Sequence, residues 1–298
     1  MQALALAKRL KSINTNKIVL GISGGIDSTL ALLVAIRTFE ILHISKKNIF
    51  TIIMPGFATT NKTKNNSYNL VKLLDTNIIE IPINETVYMH LKDIGHSIEN
   101  KNIVYENAQA RMRSMILFNY ANKVGGIVVG TGDASEIALG WSTFNGDHIS
   151  NYNVNAGIPK TIAKEIIRYF TKNEIEKGTA VILEDILNTP ISPELVSNDN
   201  DKIEQETEKI IGPYILNDFF LWYLAKYNLD KRKIKFLAEN SFDEFSSNEI
   251  EQWLNLFFKR FYSSQYKRSC STDGPTIFGF SLSPRGELML PSDLEEYN

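Results

Sequence analysis

A doubly wound parallel α/β sheet, continued by a mainly helical C-terminal part, is the architecture these 298 residues predict. Three observations lead there. Four short β-rich runs, at 18–22, 49–54, 78–82 and 127–130, are separated by helical patterns rather than hairpin turns. Strands that alternate with helices build parallel sheets covered on both faces. The first run leads through a glycine- and serine-rich turn straight into a helix, the kind of corner at which open parallel sheets hold ligands. After Gly130 the β-rich runs stop and helical patterns take over.

Each element has its own reason. Residues 1–11 alternate small and apolar side chains with Lys8, Arg9 and Lys11, which predicts an amphipathic helix packed on the domain. That stretch is too short and too broken for a signal peptide or a membrane span. Between the strands, helical periodicity marks 29–39, 63–74 and 106–124. A loop rich in Gly, Asn and aromatics follows the fourth strand as far as Pro159. Helical patterns then return at 160–171, 179–187, 202–210, 216–227 and 248–262. Residues 189–201, with two prolines and several Asn, Asp and Ser, read as a mobile loop. The segment 269–298 carries Gly274-Pro275 and Ser283-Pro284 with little periodicity and reads as a surface wrap. One domain over 1–298 is expected, with an α/β core in 1–160 and a helical extension in 161–298 that completes the site.

Composition narrows the function. A formal net charge of −2 gives no support for a nucleic-acid or membrane-surface partner. Cys270 stands alone, so neither an intramolecular disulfide nor a cysteine-based zinc site is available, and a reducing cytoplasm fits. His43, His90, His96 and His148 form no ligand-spaced cluster, and no zinc is expected.

The chemistry concentrates in Gly21-Ile22-Ser23-Gly24-Gly25-Ile26-Asp27-Ser28. Gly24 and Gly25 lack a Cβ, so backbone N–H groups there can approach an anion closely. The helix that follows adds unpaired N–H donors and the positive end of its dipole. Ser23 and Ser28 supply hydroxyls. Asp27 is an anion where phosphate is expected, a conflict that disappears if Asp27 holds a divalent cation that in turn holds the phosphates. The segment therefore reads as a pyrophosphate cradle with its own metal ligand. It is neither a Walker loop, which would place a lysine after the glycines, nor a dinucleotide fingerprint.

A second constellation, Gly130-Thr131-Gly132-Asp133-Ala134-Ser135-Glu136 through Trp141, follows the fourth strand. A doubly wound sheet would put it on the same rim as the first loop. Thr131 could then contact nucleotide and Glu136 could complete the metal site opened by Asp27. Asp133 alone reads as a helix cap. Arg111 and Arg113 are two apart on one helix and point away from each other, so at most one enters the site. Lys160 follows Pro159 at a helix start, where the dipole disfavours it; a phosphate-binding lysine would produce that conflict.

The glycine-rich string resembles the signature loop of the ATP pyrophosphatase superfamily. With Pro55-Gly-Phe-Ala-Thr59, Glu106-Asn-Ala-Gln-Ala-Arg111, Tyr152-Asn-Val-Asn-Ala-Gly157, Pro159-Lys-Thr161 and Phe261-Tyr-Ser-Ser-Gln-Tyr-Lys-Arg268 in order, the chain looks like an NAD synthetase. It is most similar to the synthetase portion of the glutamine-dependent type. The resemblance implies an adenine nucleotide alpha hydrolase-like fold and ATP bound by residues 21–28, Thr131, Lys160 and Ser192. It implies magnesium on Asp27 and Glu136. Around deamido-NAD it implies Asn107 or Arg111, with Glu136, Trp141, Asn151 and Lys267. The reaction it implies is amidation of deamido-NAD through an acyl-adenylate, releasing AMP and pyrophosphate, with Asp27, Glu136 and Lys160 as the catalytic set. In the family, deamido-NAD spans a homodimer interface, which makes the helix bearing Arg111 a candidate subunit contact. There are two departures. Shorter ammonia-dependent members carry a lysine where Phe144 stands. Glutamine-dependent members carry an amidase domain ahead of the synthetase, whereas the loop strand here begins within the first twenty residues. Free ammonia, or ammonia from a separate glutaminase, is therefore the expected nitrogen donor. Other amidoligases with this loop, and a catalytically silent nucleotide-binding subunit, remain as alternative readings.

Overall fold

The computed structural model describes residues 1–57, 59–173, 177–189 and 207–294. Five parallel strands lie in the order β3-β2-β1-β4-β5. They are β1 Ile18–Gly21, β2 Ile49–Ile53, β3 Asn77–Glu80, β4 Ile127–Gly130 and β5 Tyr152–Asn153. Ile18 pairs with Ile49 on one side and with Ile127 on the other, so β1 and β4 are central neighbours. The four expected strands are present. β5, only two residues long, is too short to show an alternation in sequence.

Side chains alternate along each strand and sort into two cores. Ile18, Leu20, Ile49, Ile53 and Val129 join the core under α1 (Gln2–Ser12) and α2 (Ile26–Leu42). Leu70 and Val71 of α3 (Asn61–Leu73) belong to that same core. Val19, Ile52 and Val128 face the opposite way, against α4 (Asn84–Asp93) and α5 (Ile103–Val124). Burial on both faces is why these strands read as continuous apolar runs. Two further helices close the first face, α7 (Lys160–Asn173) and α8 (Lys177–Asn188), separated from the sheet's last long strand by the short α6 (Ala134–Leu139).

A third core is mainly helical, with Leu282 of the C-terminal segment packed into it. It joins α6 to α9 (Thr207–Ile211), α10 (Tyr214–Tyr227), α11 (Lys231–Glu239) and α12 (Ser247–Ser263). The chain turns once more as α13 (Gln265–Ser269) and then runs without regular structure to residue 294, burying Phe280 and Leu282 on the way. The expected surface wrap is thus partly an apolar strap.

Three differences from expectation have physical causes. Helices α4 and α11 escape a periodicity search because each buries only two side chains, Val87 and Leu91 in one and Ile234 and Ala238 in the other. α2 begins at Ile26, capped by Gly25, rather than near Ser28, so Asp27 lies inside the first helical turn. Ser192, the expected loop 189–201 beyond Thr189, and residues 202–206 of an expected helix lie outside the described residues. Among the described helices none is long and apolar enough to cross a membrane.

Candidate active site

Strand order reverses between β1 and β4, because β2 and β3 lie outward on one side and β5 on the other. Loops leaving the carboxyl ends of two such strands diverge and leave a crevice. A cavity of about 500 Å³ opens there, lined by the whole of residues 21–28 and by Thr131, Glu136 and Lys160. That is the size of a small-molecule site.

The floor is the glycine-rich turn. Gly24 has φ +82°, and a Cβ there would lie 2.8 Å from Ser67 Oγ and from the Thr63 carbonyl of α3. Gly25 is extended, so only one of the two glycines needs the left-handed region. The hydroxyls hold the turn open. Ser23 Oγ accepts from Gly25 N–H at 3.3 Å and lies 3.1 Å from Ser28 Oγ, which itself donates to the Gly25 carbonyl at 3.2 Å. The N-terminus of α2, seventeen residues long, aims its dipole at the same space.

The wall opposite is acidic. α6 opens with a reciprocal cap: Asp133 Oδ1 accepts from Glu136 N–H at 2.8 Å, and Glu136 Oε2 accepts from Asp133 N–H at 3.4 Å. Asp133 is therefore the expected helix cap, and something more. Its Oδ2 lies 2.9 Å from Lys160 Nζ, with Asp27 Oδ2 at 2.5 Å and Glu136 Oε1 at 3.0 Å from the same ammonium. Lys160 and Asp133 are almost wholly buried, and the side chains of Asp27 and Glu136 are about one-fifth exposed. The dipole conflict at the start of α7 is thus met by three carboxylates.

Electrostatics follows from that packing. Burial pushes the Glu136 carboxyl up to about 7, against the opposing Lys160 charge and with Asp27 repelling it further. Burial likewise holds Asp133 well above the ordinary carboxylate range, although Lys160 opposes it. Burial alone would depress Lys160, but Asp133, Asp27 and Glu136 together outweigh it and hold the ammonium firmly protonated. Tyr214, with its ring 5.4 Å from Lys160 Nζ, is raised mainly by burial.

A divalent cation fits this donor set. Asp27, Asp133 and Glu136 offer oxygens that all lie within 4.8 Å of one another. Asp27 Oδ1 is buried without a hydrogen-bond partner, and Asp133 Oδ2 meets only the Lys160 ammonium. Fully ionised, three carboxylates face one ammonium, a surplus of two negative charges that one Mg²⁺ would cancel while displacing protons held by burial. Hard oxygen ligands suit magnesium.

Two residues that sequence reasoning did not single out tie the walls together. Asn155 Nδ2 donates to the Asp27 carbonyl at 2.9 Å and to the Thr131 carbonyl at 3.0 Å, bridging the loops after β1 and β4. Asp218 of α10 accepts from Ser135 Oγ and, at 2.8 Å, from Thr161 N–H. Ser135 Oγ in turn accepts from Lys160 N–H at 2.9 Å, so one carboxylate fixes α6 against α7. Asn155 sits inside a quoted motif; nothing in the sequence around Asp218 marks it.

The remaining expected residues divide. Asn107, Trp141 and Lys267 line the cavity; Asn107 Oδ1 accepts from Thr143 Oγ1 at 2.8 Å, and Arg260 lies 5.0 Å above the Trp141 ring. Lys267 Nζ donates to the Gly140 and Ser142 carbonyls at 2.8 and 2.6 Å. Of the two arginines of α5, Arg113 lines the cavity, while Arg111 reaches outward to the Phe144 carbonyl at 3.2 Å. Asn151 is exposed away from the cavity lining, and its Oδ1 accepts from Val128 N–H at 2.8 Å. Phe144 stacks on His148 with centroids 5.3 Å apart.

Fold and site together define a doubly wound α/β protein that sets a glycine-rich turn against an acidic wall at one switch point. The chain belongs to the NAD synthase family, whose model matches residues 2–270. It is similar to a glutamine-dependent NAD(+) synthetase of Mycobacterium leprae, 39% identical over 99% of this chain and 47% of that protein. The chain thus spans about half the length of the curated relatives it matches. Among solved structures it resembles a glutamine-dependent NAD(+) synthetase from Cytophaga hutchinsonii, with a TM-score of 0.79 at 18% identity over 99% of this chain and 53% of that one. An NH3-dependent NAD synthetase from Campylobacter jejuni gives 0.63 at 20% identity, over 89% and 93% of the two chains. Those two likenesses speak for the shared fold alone.

Proposed function

We propose that this chain amidates deamido-NAD to NAD at the expense of ATP. One observation carries the reading: the carboxylates of Asp27 and Glu136, delivered by loops from neighbouring strands, converge beside the glycine-rich cradle in a member of this family. ATP lies with its phosphates over residues 21–28, its charge met by backbone N–H groups, the α2 dipole and Lys160. Asp27 and Glu136, with Asp133 beside them, hold magnesium, which supplies charge neutralisation at the phosphates. One carboxylate oxygen of the pyridine ring attacks the α-phosphorus and pyrophosphate leaves. Ammonia then attacks the acyl carbon, AMP departs with that oxygen, and the nitrogen loses a proton. No covalent nucleophile is needed; alignment and fixed charge suffice. Asn107, Trp141 and Lys267 face deamido-NAD, and α5 is the subunit contact of a homodimer. Nitrogen comes as ammonia, free or from a separate glutaminase, in the cytoplasm.

The test supplies purified chain with ATP, Mg²⁺ and deamido-NAD, and either ammonium or glutamine. Pyrophosphate and NAD should appear with ammonium and only when deamido-NAD is present. ATP cleavage indifferent to deamido-NAD would contradict the reading, and NAD formed from glutamine alone would overturn the nitrogen assignment.

A further inference from the structure

We propose that Arg268, assisted by Ser264, is a positioning residue for the metal-binding carboxylate of Glu136, acting through the C-terminus of α6. The inference rests on the reading that Asp27 and Glu136 hold a divalent cation. α6 has only six residues, too few to be stable by its own hydrogen bonds. Glu136 is its third residue, so the place of that carboxylate is set by whatever holds the helix.

At its C-terminal end, every free carbonyl is taken by a side chain from α12 or α13. Arg268 donates to the Ile137 and Ala138 carbonyls at 3.4 and 2.8 Å. Ser264 Oγ reaches the Ala138 carbonyl at 3.3 Å, and Arg260 reaches that of Leu139 at 3.2 Å. Lys267 takes the Gly140 carbonyl at 2.8 Å. Three cations thus stand at the negative end of one short dipole. The approach is so close that a Cβ on Gly140, whose φ is +59°, would lie 2.3 Å from Ser264 Cβ.

Arg268 is the costliest member of this set and the most informative. It is 1% exposed, and no carboxylate pairs with it among the described residues. Burial lowers the guanidinium to about 9. An arginine buried without a counter-ion is expensive, and its compensation here is the α6 carbonyls, the Phe261 carbonyl and, at 2.9 Å, Gln265 Oε1. Packing alone would be served by an apolar side chain. What the planar fork adds is a fixed end for the helix that carries Glu136.

Arg268→Lys keeps a charge but loses the planar fork that meets the Ile137, Ala138 and Phe261 carbonyls and Gln265 Oε1 together. Ser264→Ala removes a hydroxyl that reaches the Ala138 carbonyl and accepts from Arg268 at 2.8 Å. With the full chain, Mn²⁺ affinity is read by electron paramagnetic resonance, alongside thermal unfolding and the kcat and KM for ATP. Arg268→Lys should weaken Mn²⁺ binding by about 10- to 100-fold, the usual range for supports behind a metal ligand, with KM for ATP changed less than kcat. Ser264→Ala should shift Mn²⁺ affinity the same way by less, and it decides the matter if Arg268→Lys does not fold. Unchanged Mn²⁺ affinity in folded variants would overturn the proposal. Parent chain that binds Mn²⁺ yet makes no NAD would sink the amidation reading alone, and parent chain that binds no Mn²⁺ would end both.

Discussion

The cradle and the acidic wall face each other across one crevice, yet they are built in opposite ways. Residues 21–28 are largely self-contained: Ser23, Gly25 and Ser28 bond to one another within the turn, and α2 follows at once. The wall is six residues of helix held from outside, by Asp218 and Asn155 around its start and by Arg260, Lys267 and Arg268 at its end. A local turn can be specified by adjacent residues. A short helix carrying a charge must be fixed by distant ones.

Removing a metal carboxylate should affect both sides most. Asp27→Asn and Glu136→Gln should fold, since Asp27 and Glu136 retain partial exposure, and should lose about 10²- to 10³-fold in pyrophosphate release, the scale of one preorganised electrostatic contact. Stopped-flow pyrophosphate detection would read this, and near-normal turnover would count against the assignment.

A glycine from each region sharpens the contrast. Gly24→Ala and Gly140→Ala both force a side chain into left-handed backbone, at φ +82° and +59°, and against a neighbour. Each should destabilise by about 1–3 kcal/mol. Gly24→Ala should then raise KM for ATP, whereas Gly140→Ala should weaken the metal. Identical kinetic signatures from the two would erase the distinction between cradle and wall.

The smallest expected effect is on pH. Burial raises Glu136 to about 7, so below that pH a proton competes with the cation. Metal affinity should rise by up to about tenfold per unit as pH climbs from 6 towards 7, then level off. Apo-protein stability should run the other way, falling as pH rises from the ordinary carboxylate range to about 7, because ionisation of a buried acid is penalised in the folded chain alone. Titrations of Mn²⁺ affinity and of unfolding against pH would read both slopes.

What the sequence disclosed follows the same division. The cradle, the four longer strands and the convergence of Asp27 and Glu136 were legible, because each is written in contiguous residues or in the topology of a parallel sheet. Lys160 read as a phosphate contact, and its pairing with three carboxylates was not legible. Asp133 read only as a cap, since its second partner, Lys160, is remote in sequence. Asp218 gave no local signal, and Arg268, though it stands in a basic pair inside a quoted motif, gave none of its hold on α6, whose Ala138 carbonyl lies 130 residues away. Of the α5 arginines, alternation correctly allowed one into the crevice, but choosing between Arg111 and Arg113 needed the position of Phe144. β5 and α4 were missed because two paired residues, or two buried ones, make no period.

The most direct measurement is anomalous scattering from Mn²⁺ in crystals of the chain grown with a non-hydrolysable ATP analogue. A peak about 2.1 Å from an oxygen of Asp27 and from one of Glu136, touching the analogue's phosphates, is the expected result. A cation bound to only one of these carboxylates, or seated elsewhere while the phosphates fill the cradle, would contradict it.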